Sequence, residues 1–205
     1  MRRVITTLDV PESGTLRVPL GTVVTPSARD LAGERGVRIE ERPEEDLPSL
    51  APPEKTVAIG ADHGGFRLKE ALKPVLEELG FQVRDVGVEE EKAVDYPDIA
   101  EKVADLVAGG TALRGVMIDG AGIGSSIAAN KVPGVRAALC YDKASARNSR
   151  EHTDSNVLTL GARLLTGTQA EEVLRTWIET PFAGGRHLAR VQKISQIEQK
   201  HLKSS

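Results

Sequence analysis

The clearest capacity for chemistry in this sequence lies where an acid ends an apolar run and alternate glycines follow. Val116-Met117-Ile118 suits a strand buried on both faces. Asp119 comes next, then Gly120, Ala121, Gly122, Ile123 and Gly124. Ser125 to Lys131 is small and helix-compatible, so the stretch reads as strand, glycine turn, helix. In that geometry backbone N–H groups at the helix start face an anion, and glycines let the backbone approach a ligand oxygen without Cβ atoms in the way. The alternative is a turn that merely permits tight strand–helix packing. A dinucleotide fingerprint fails at Ser125, which stands where the third glycine belongs. The Walker pattern is absent.

Other candidates are polar residues at strand ends and helix starts. His63, His152 and His187 are three of four histidines, each in a polar loop or helix start. They are either surface and cap residues or part of a site. A metal centre is disfavoured because no close-spaced ligand pair such as H-x-x-x-H occurs. Arg186 and Arg190, four positions apart, would share one face of a terminal helix, either as a solvated basic face or as a phosphate clamp. Cys140, at the end of an apolar run, reads as a small core residue rather than a nucleophile.

These residues need elements to position them. The chain has 205 residues and a formal net charge of −3. That length accommodates one α/β domain with a small addition, and the charge gives no support to a nucleic-acid or anionic-membrane role. One cysteine excludes an internal disulfide and fits a reducing compartment. No apolar leader or membrane-length run is present, so a cytoplasmic protein is expected. Residues 1–40 form a small N-terminal extension, with Thr25-Pro26 as a helix start and Gly36 as its stop. So few residues should bury no core of their own and should dock elsewhere. Residues 41–54, acidic with four prolines, read as a linker. Residues 55–205 alternate strand and helix: strands at 57–60, 82–86, 114–118, 135–140 and 157–160, with a capping box predicted at Thr168 and Glu171. The expected fold is a doubly wound five-stranded parallel sheet in a three-layer sandwich. Its ligands would bind at the carboxyl ends of the strands.

Several segments now combine. Ala61-Asp62-His63-Gly64-Gly65, Val94-Asp95-Tyr96-Pro97-Asp98, the Gly120–Gly124 turn with Ile127 to Val132, Ser145 to His152, Asn156-Val157-Leu158 and Gly184-Gly185-Arg186-His187 occur in this order. Together they resemble the type B ribose-5-phosphate isomerase family, which includes the galactose-6-phosphate isomerase subunits, over residues 56–197. The resemblance implies aldose–ketose isomerisation of a sugar phosphate through an enediolate, without metal or cofactor, in a homodimer or homotetramer with a site shared between subunits. It implies that Asp62 holds sugar hydroxyls, His63 contacts substrate or phosphate, and Tyr96 lines the pocket. The Gly120–Gly124 backbone would form the anion hole. His152 of a partner subunit would assist ring opening, and Arg186 and Arg190 would grip the phosphate.

The departures from the family fall at the chemistry. Asp119 stands where a cysteine base is common, Ala121 where a threonine is, Thr153 where an asparagine is, and Ser125 where another branch has glutamate. Asp119 is therefore the expected base. The competing expectation is a catalytically silent sugar-phosphate-binding or assembly protein. Separately, the Gly21–Asp30 run is similar to short segments of bacterial microcompartment proteins. That similarity implies an assembly element that meets shell or core proteins.

Overall fold

A computed structural model describes residues 4–5, 10–11, 13–24, 26–42 and 55–202. The chain divides into two compact units, Met1–Ala51 and Pro52–Ser205.

The first unit holds strands β1 (Val4–Ile5), β2 (Thr15–Pro19) and β3 (Val23–Val24), helix α1 (Pro26–Glu34) and strand β4 (Arg38–Arg42). β1 pairs with β3 and β2 with β4, both in parallel. Contrary to expectation, this unit buries a cluster of its own: Val10, Val18, Val24, Ala28, Ala32 and Val37. Ala28 and Ala32 lie one turn apart on the same face of α1. Gly36 takes a positive φ of 64° and ends the helix, so that Val37 N–H reaches the Ala32 carbonyl and its side chain joins the cluster. The Arg35 guanidinium adds a hydrogen bond to the Val10 carbonyl at 2.6 Å. The cap assigned to Thr25 and most of the linker, residues 43–54, lie outside the described residues. Residues 41–42, assigned to that linker, instead finish β4.

The second unit runs β5 (Thr56–Ala61), α2 (Phe66–Glu78), β6 (Gln82–Asp85), α3 (Tyr96–Ala108), β7 (Arg114–Asp119), α4 (Ile123–Ala129), β8 (Ala137–Leu139), α5 (Lys143–Thr153), β9 (Val157–Gly161), α6 (Gly167–Glu179), a 3-10 turn (Gly185–His187) and α7 (Leu188–Leu202). The five strands form one parallel sheet in the order β6-β5-β7-β9-β8. Alternate residues supply its two faces. Val57, Ile59, Val116, Ile118, Leu158 and Leu160 pack against Leu72 and Leu76 of α2 and Leu174 and Trp177 of α6. Ala58 and Val157 pack against Val103, Ala104 and Val107 of α3 and Ala129 of α4. A Cβ on Gly60 would lie 2.7 Å from Ile99 and 2.8 Å from Val103, so glycine there lets α3 lie close on the sheet.

Ala61 is level with Ile118, and Asp119 with Gly161, so the three central strands end together. From β5 the chain winds toward one edge, and from β7 toward the other. The crevice at this reversal is where doubly wound sheets hold ligands.

Several boundaries differ from expectation, and β8 covers only Ala137–Leu139 of the expected 135–140. α4 begins at Ile123, inside the glycine turn. α6 is capped by Thr166 with Gln169, not by Thr168 with Glu171: the Thr166 hydroxyl accepts from Gln169 N–H and the Gln169 side chain from Thr166 N–H, which starts the helix two residues earlier. α7 starts at Leu188, after a separate 3-10 turn, and none of its side chains is buried.

Candidate active site

The crevice is lined by Asp62, Tyr96, Asp119, Gly120, Ala121, Gly124, Arg163 and Leu164, around a volume of about 410 Å³. Asp62 leaves β5 and Asp119 ends β7, so the topology alone sets the two carboxylates side by side.

Asp119 is 5% exposed and turned back into its own loop. Its Oδ1 accepts from Ala121 N–H at 2.7 Å and from Gly122 N–H. Its Oδ2 accepts from Ser125 N–H at 3.1 Å and from the Ser125 hydroxyl, itself fully buried. Gly122 has a φ of 77°, and a Cβ there would come within 2.5 Å of Leu139 and 2.9 Å of the Leu160 carbonyl carbon. Only glycine closes this turn. The expected anion hole is therefore corrected in part. Ala121 and Gly122 spend their N–H groups on Asp119, whereas those of Gly120, Ile123 and Gly124 make no hydrogen bond among the described residues.

The carboxylate of Asp62, a residue 8% exposed, accepts only one hydrogen bond among the described residues, from Gly65 N–H to Oδ1 at 2.9 Å. A Cβ on Gly65 would strike the Ile118 carbonyl oxygen at 2.4 Å, so this turn too is fitted closely to β7. Gly124 makes room for the Tyr96 ring, which a Cβ would meet at 2.5 Å. His63 shares the turn with Asp62 but is exposed and does not line the crevice. Arg163 was not singled out from the sequence. It follows β9 by two residues, its N–H bonds the Gly120 carbonyl at 3.0 Å, and its side chain lies over Gly120. The usable signal was its place at a strand's carboxyl end.

The remaining expected residues gather elsewhere. Asp142 caps α5 at the carboxyl end of β8 through Ser145, and eleven residues later, about 16 Å along the helix, α5 ends at the opposite edge of the sheet. There the Thr153 carbonyl accepts from Arg136, which precedes β8. His152 therefore lies at the amino end of the sheet and Asp119 at the carboxyl end, so one chain does not join them. Thr153 turns its hydroxyl back to the Ser149 carbonyl at 2.6 Å. The His152 Nδ1 lies 3.0 Å from Asn148 Nδ2, and its ring stacks on His187 with centroids 4.2 Å apart. Arg186 donates to His187 Nε2 at 3.4 Å, and the buried Nδ1 of His187 has no hydrogen-bond partner among the described residues. Burial, and then the neighbouring His152, Arg186 and Arg190, push the His187 imidazole below its ordinary pKa. Arg186 and Arg190 do not both lie on the terminal α-helix as expected, because Arg186 belongs to the 3-10 turn and Arg190 to α7. Both are exposed and flank His187.

Cys140 is fully buried, and burial raises its thiol pKa, in keeping with a core role. No group of three or more His, Cys, Asp or Glu side chains among the described residues is placed to hold a metal ion. No helix among them is long and apolar enough to cross a membrane.

Doubly wound topology, paired acids at the switch point and a basic histidine cluster define a polar-ligand α/β protein of the kind that handles small phosphorylated metabolites. Comparison with known proteins narrows this class. The model of the ribose/galactose isomerase family matches residues 57–194, and the chain belongs to that family. It is 43% identical to ribose-5-phosphate isomerase B of Escherichia coli, over 71% of this chain and 98% of that protein. It is 37% identical to D-erythrulose-4-phosphate isomerase of Pectobacterium atrosepticum, over 70% and 95%. The solved ribose-5-phosphate isomerase B of Clostridium thermocellum superposes with a TM-score of 0.70 at 47% identity, over 71% and 99%.

Proposed function

We propose that this chain interconverts an aldose phosphate and its ketose, with ribose 5-phosphate and ribulose 5-phosphate as the first pair to test. The observation that carries this is the crevice itself. It sets two carboxylates, the unbonded backbone N–H groups of Gly120 and Gly124 and the Arg163 cation around a space sized for a small sugar, in a chain of the sugar-phosphate isomerase family. The open N–H groups of Gly120 and Gly124 suit the oxygen charge of an enediolate. Tyr96 walls the sugar. Relatives named for a pentose and for a tetrose phosphate keep the chain length open.

The separated clusters support a shared site. His152, Arg186 and Arg190 would come to the crevice from a second copy, assisting ring opening and gripping phosphate, with His63 close to that junction. The exposed Leu188, Ile194, Ile197 and Leu202 of α7 offer apolar surface for the association. The N-terminal unit is proposed as a docking element for microcompartment shell or core proteins.

The test is NMR in deuterated water with tetrose, pentose and hexose phosphates. Turnover with deuterium entering at the carbon next to the carbonyl is expected. Binding without exchange for every sugar would establish instead a silent sugar-phosphate-binding protein.

A further inference from the structure

Moving a proton between adjacent carbons requires a base with an open lone pair facing the substrate, within hydrogen-bond reach. The crevice offers two carboxylates, Asp62 and Asp119. A carboxylate has about four lone-pair positions. At Asp119 all four are taken, by Ala121 N–H, Gly122 N–H, Ser125 N–H and the Ser125 hydroxyl. Nothing is left to take a proton from carbon unless the loop comes apart. The same bonds have an evident purpose: they fold the glycine turn so that the Gly120, Ile123 and Gly124 N–H groups stay open.

Asp62 is the reverse case. Only its Oδ1 is engaged, by Gly65 N–H, and its Oδ2 accepts no hydrogen bond among the described residues. Gly64 keeps the space beside it clear. A Cβ there would lie 3.3 Å from Asp62 Oδ1 and 3.7 Å from the Gly120 nitrogen. The free carboxylate and an open oxyanion donor thus share one corner of the crevice.

Resting on the isomerase reading, we infer that Asp62 is the base of this enzyme and Asp119 a positioning residue that shapes the anion-binding turn. Asp62 removes the C2 proton of the open-chain aldose phosphate. The C–H electron pair becomes the C1–C2 double bond, and the carbonyl pair moves to O1, held by Gly120 N–H. The proton carried by Asp62 returns to C1, while the hydroxyl proton of O2 passes to O1. No oxidant or reductant enters, and the ketose leaves with Asp62 ionised again.

The experiment compares full-length native protein, Asp62→Asn, Asp62→Glu and Asp119→Asn. It reads kcat and KM for isomerisation, deuterium exchange at C2, and binding of a non-reacting phosphorylated aldonate by calorimetry. Asparagine at 62 still accepts from Gly65 N–H, so that variant should fold and bind the aldonate within a few-fold of native. Its kcat and C2 exchange should fall by about 10²–10⁴-fold. Asp62→Glu should recover part of the exchange. In Asp119→Asn the new amide opposes Ser125 N–H, so the turn shifts. KM should rise and aldonate binding weaken, while exchange from the bound substrate persists. A folded Asp62→Asn that turns over within tenfold of native overturns the assignment. So does an Asp119→Asn that binds normally and exchanges nothing, which would make Asp119 the base. A native protein that isomerises no sugar phosphate overturns the isomerase reading and this assignment together, whereas an active native protein with an active Asp62→Asn overturns the assignment alone.

Discussion

The two polar clusters of the main unit differ in every respect that matters to a ligand. The crevice after β5, β7 and β9 is lined by buried carboxylates and backbone N–H groups on rigid strand ends. The cluster at the end of α5 and the start of α7 is cationic, carries stacked imidazoles, and holds a buried ring nitrogen with no hydrogen-bond partner among the described residues. One is equipped for proton chemistry, the other for holding an anion. Under the proposed shared site neither is sufficient alone, and α5 holds them at opposite ends of the sheet. A parallel sheet can bring such halves together only by placing the carboxyl end of one copy against the amino end of another, as a two-fold dimer does.

The division of labour is open to direct attack. Arg186→Ala or Arg190→Ala should weaken sugar-phosphate binding by about 1.5–3 kcal/mol, the usual worth of a hydrogen bond to a charged group. Unphosphorylated sugar should bind as before. Calorimetry with both ligands distinguishes this from loss of fold, which would weaken both. If Arg163→Ala alone gives the phosphate-specific loss, the phosphate sits in the crevice, and the far cluster has another role.

A smaller effect is expected where the crevice is shaped rather than charged. Gly124→Ala forces the Tyr96 ring out of its place, since the new methyl would meet it at 2.5 Å. The ring is at the crevice mouth and can swing outward, so the fold should survive, with KM rising about tenfold, the scale of about 1.4 kcal/mol lost from binding. An unchanged KM would remove Tyr96 from the substrate wall.

The histidine pair should show itself in the pH dependence of stability. The fold depresses the His187 pKa below the ordinary value of about 6.5. Above that value the ring is neutral in both states and costs nothing. As pH falls from about 6.5 through the folded pKa, the unfolded chain takes up the proton first, and stability declines. His187→Gln should flatten that part of the Tm profile. The same decline in the variant would assign it elsewhere.

The smallest effect is expected from the other unit. Relatives are matched over 95–98% of their own length by about 70% of this chain, so the N-terminal unit is an addition to a complete isomerase-like domain. Deleting residues 1–51 should leave kcat and KM unchanged. A tenfold loss would place that unit at the site.

The sequence was informative where local chemistry and periodicity act alone. Apolar runs ending in Asp62 and Asp119 located the central strands and both carboxylates, and Gly36 marked a helix end the structure keeps. It failed where meaning depends on what a side chain meets. Asp119 reads as an open carboxylate in the sequence because nothing there shows Ser125 folding back onto it, and the inference that moves the base to Asp62 rests on those bonds. Arg186 and Arg190 look like one stretch of α-helix because the spacing does not show that the 3-10 turn, Gly185–His187, gives way to α7 only at Leu188. The N-terminal residues seemed too few for a core, since the pairing of β2 with β4 across α1 is not written in any local pattern.

The shared site is the central claim, and subunit mixing tests it most directly. Asp62→Asn disables the crevice and His152→Ala the far cluster, so each homogeneous protein should be nearly inactive. When the two are denatured, mixed in equal amounts and refolded, half the dimers carry both chains, and in those one of two sites is intact. Activity should return to about a quarter of native. Reassorted dimers, confirmed by mass, that remain as inactive as the parents would contradict the account.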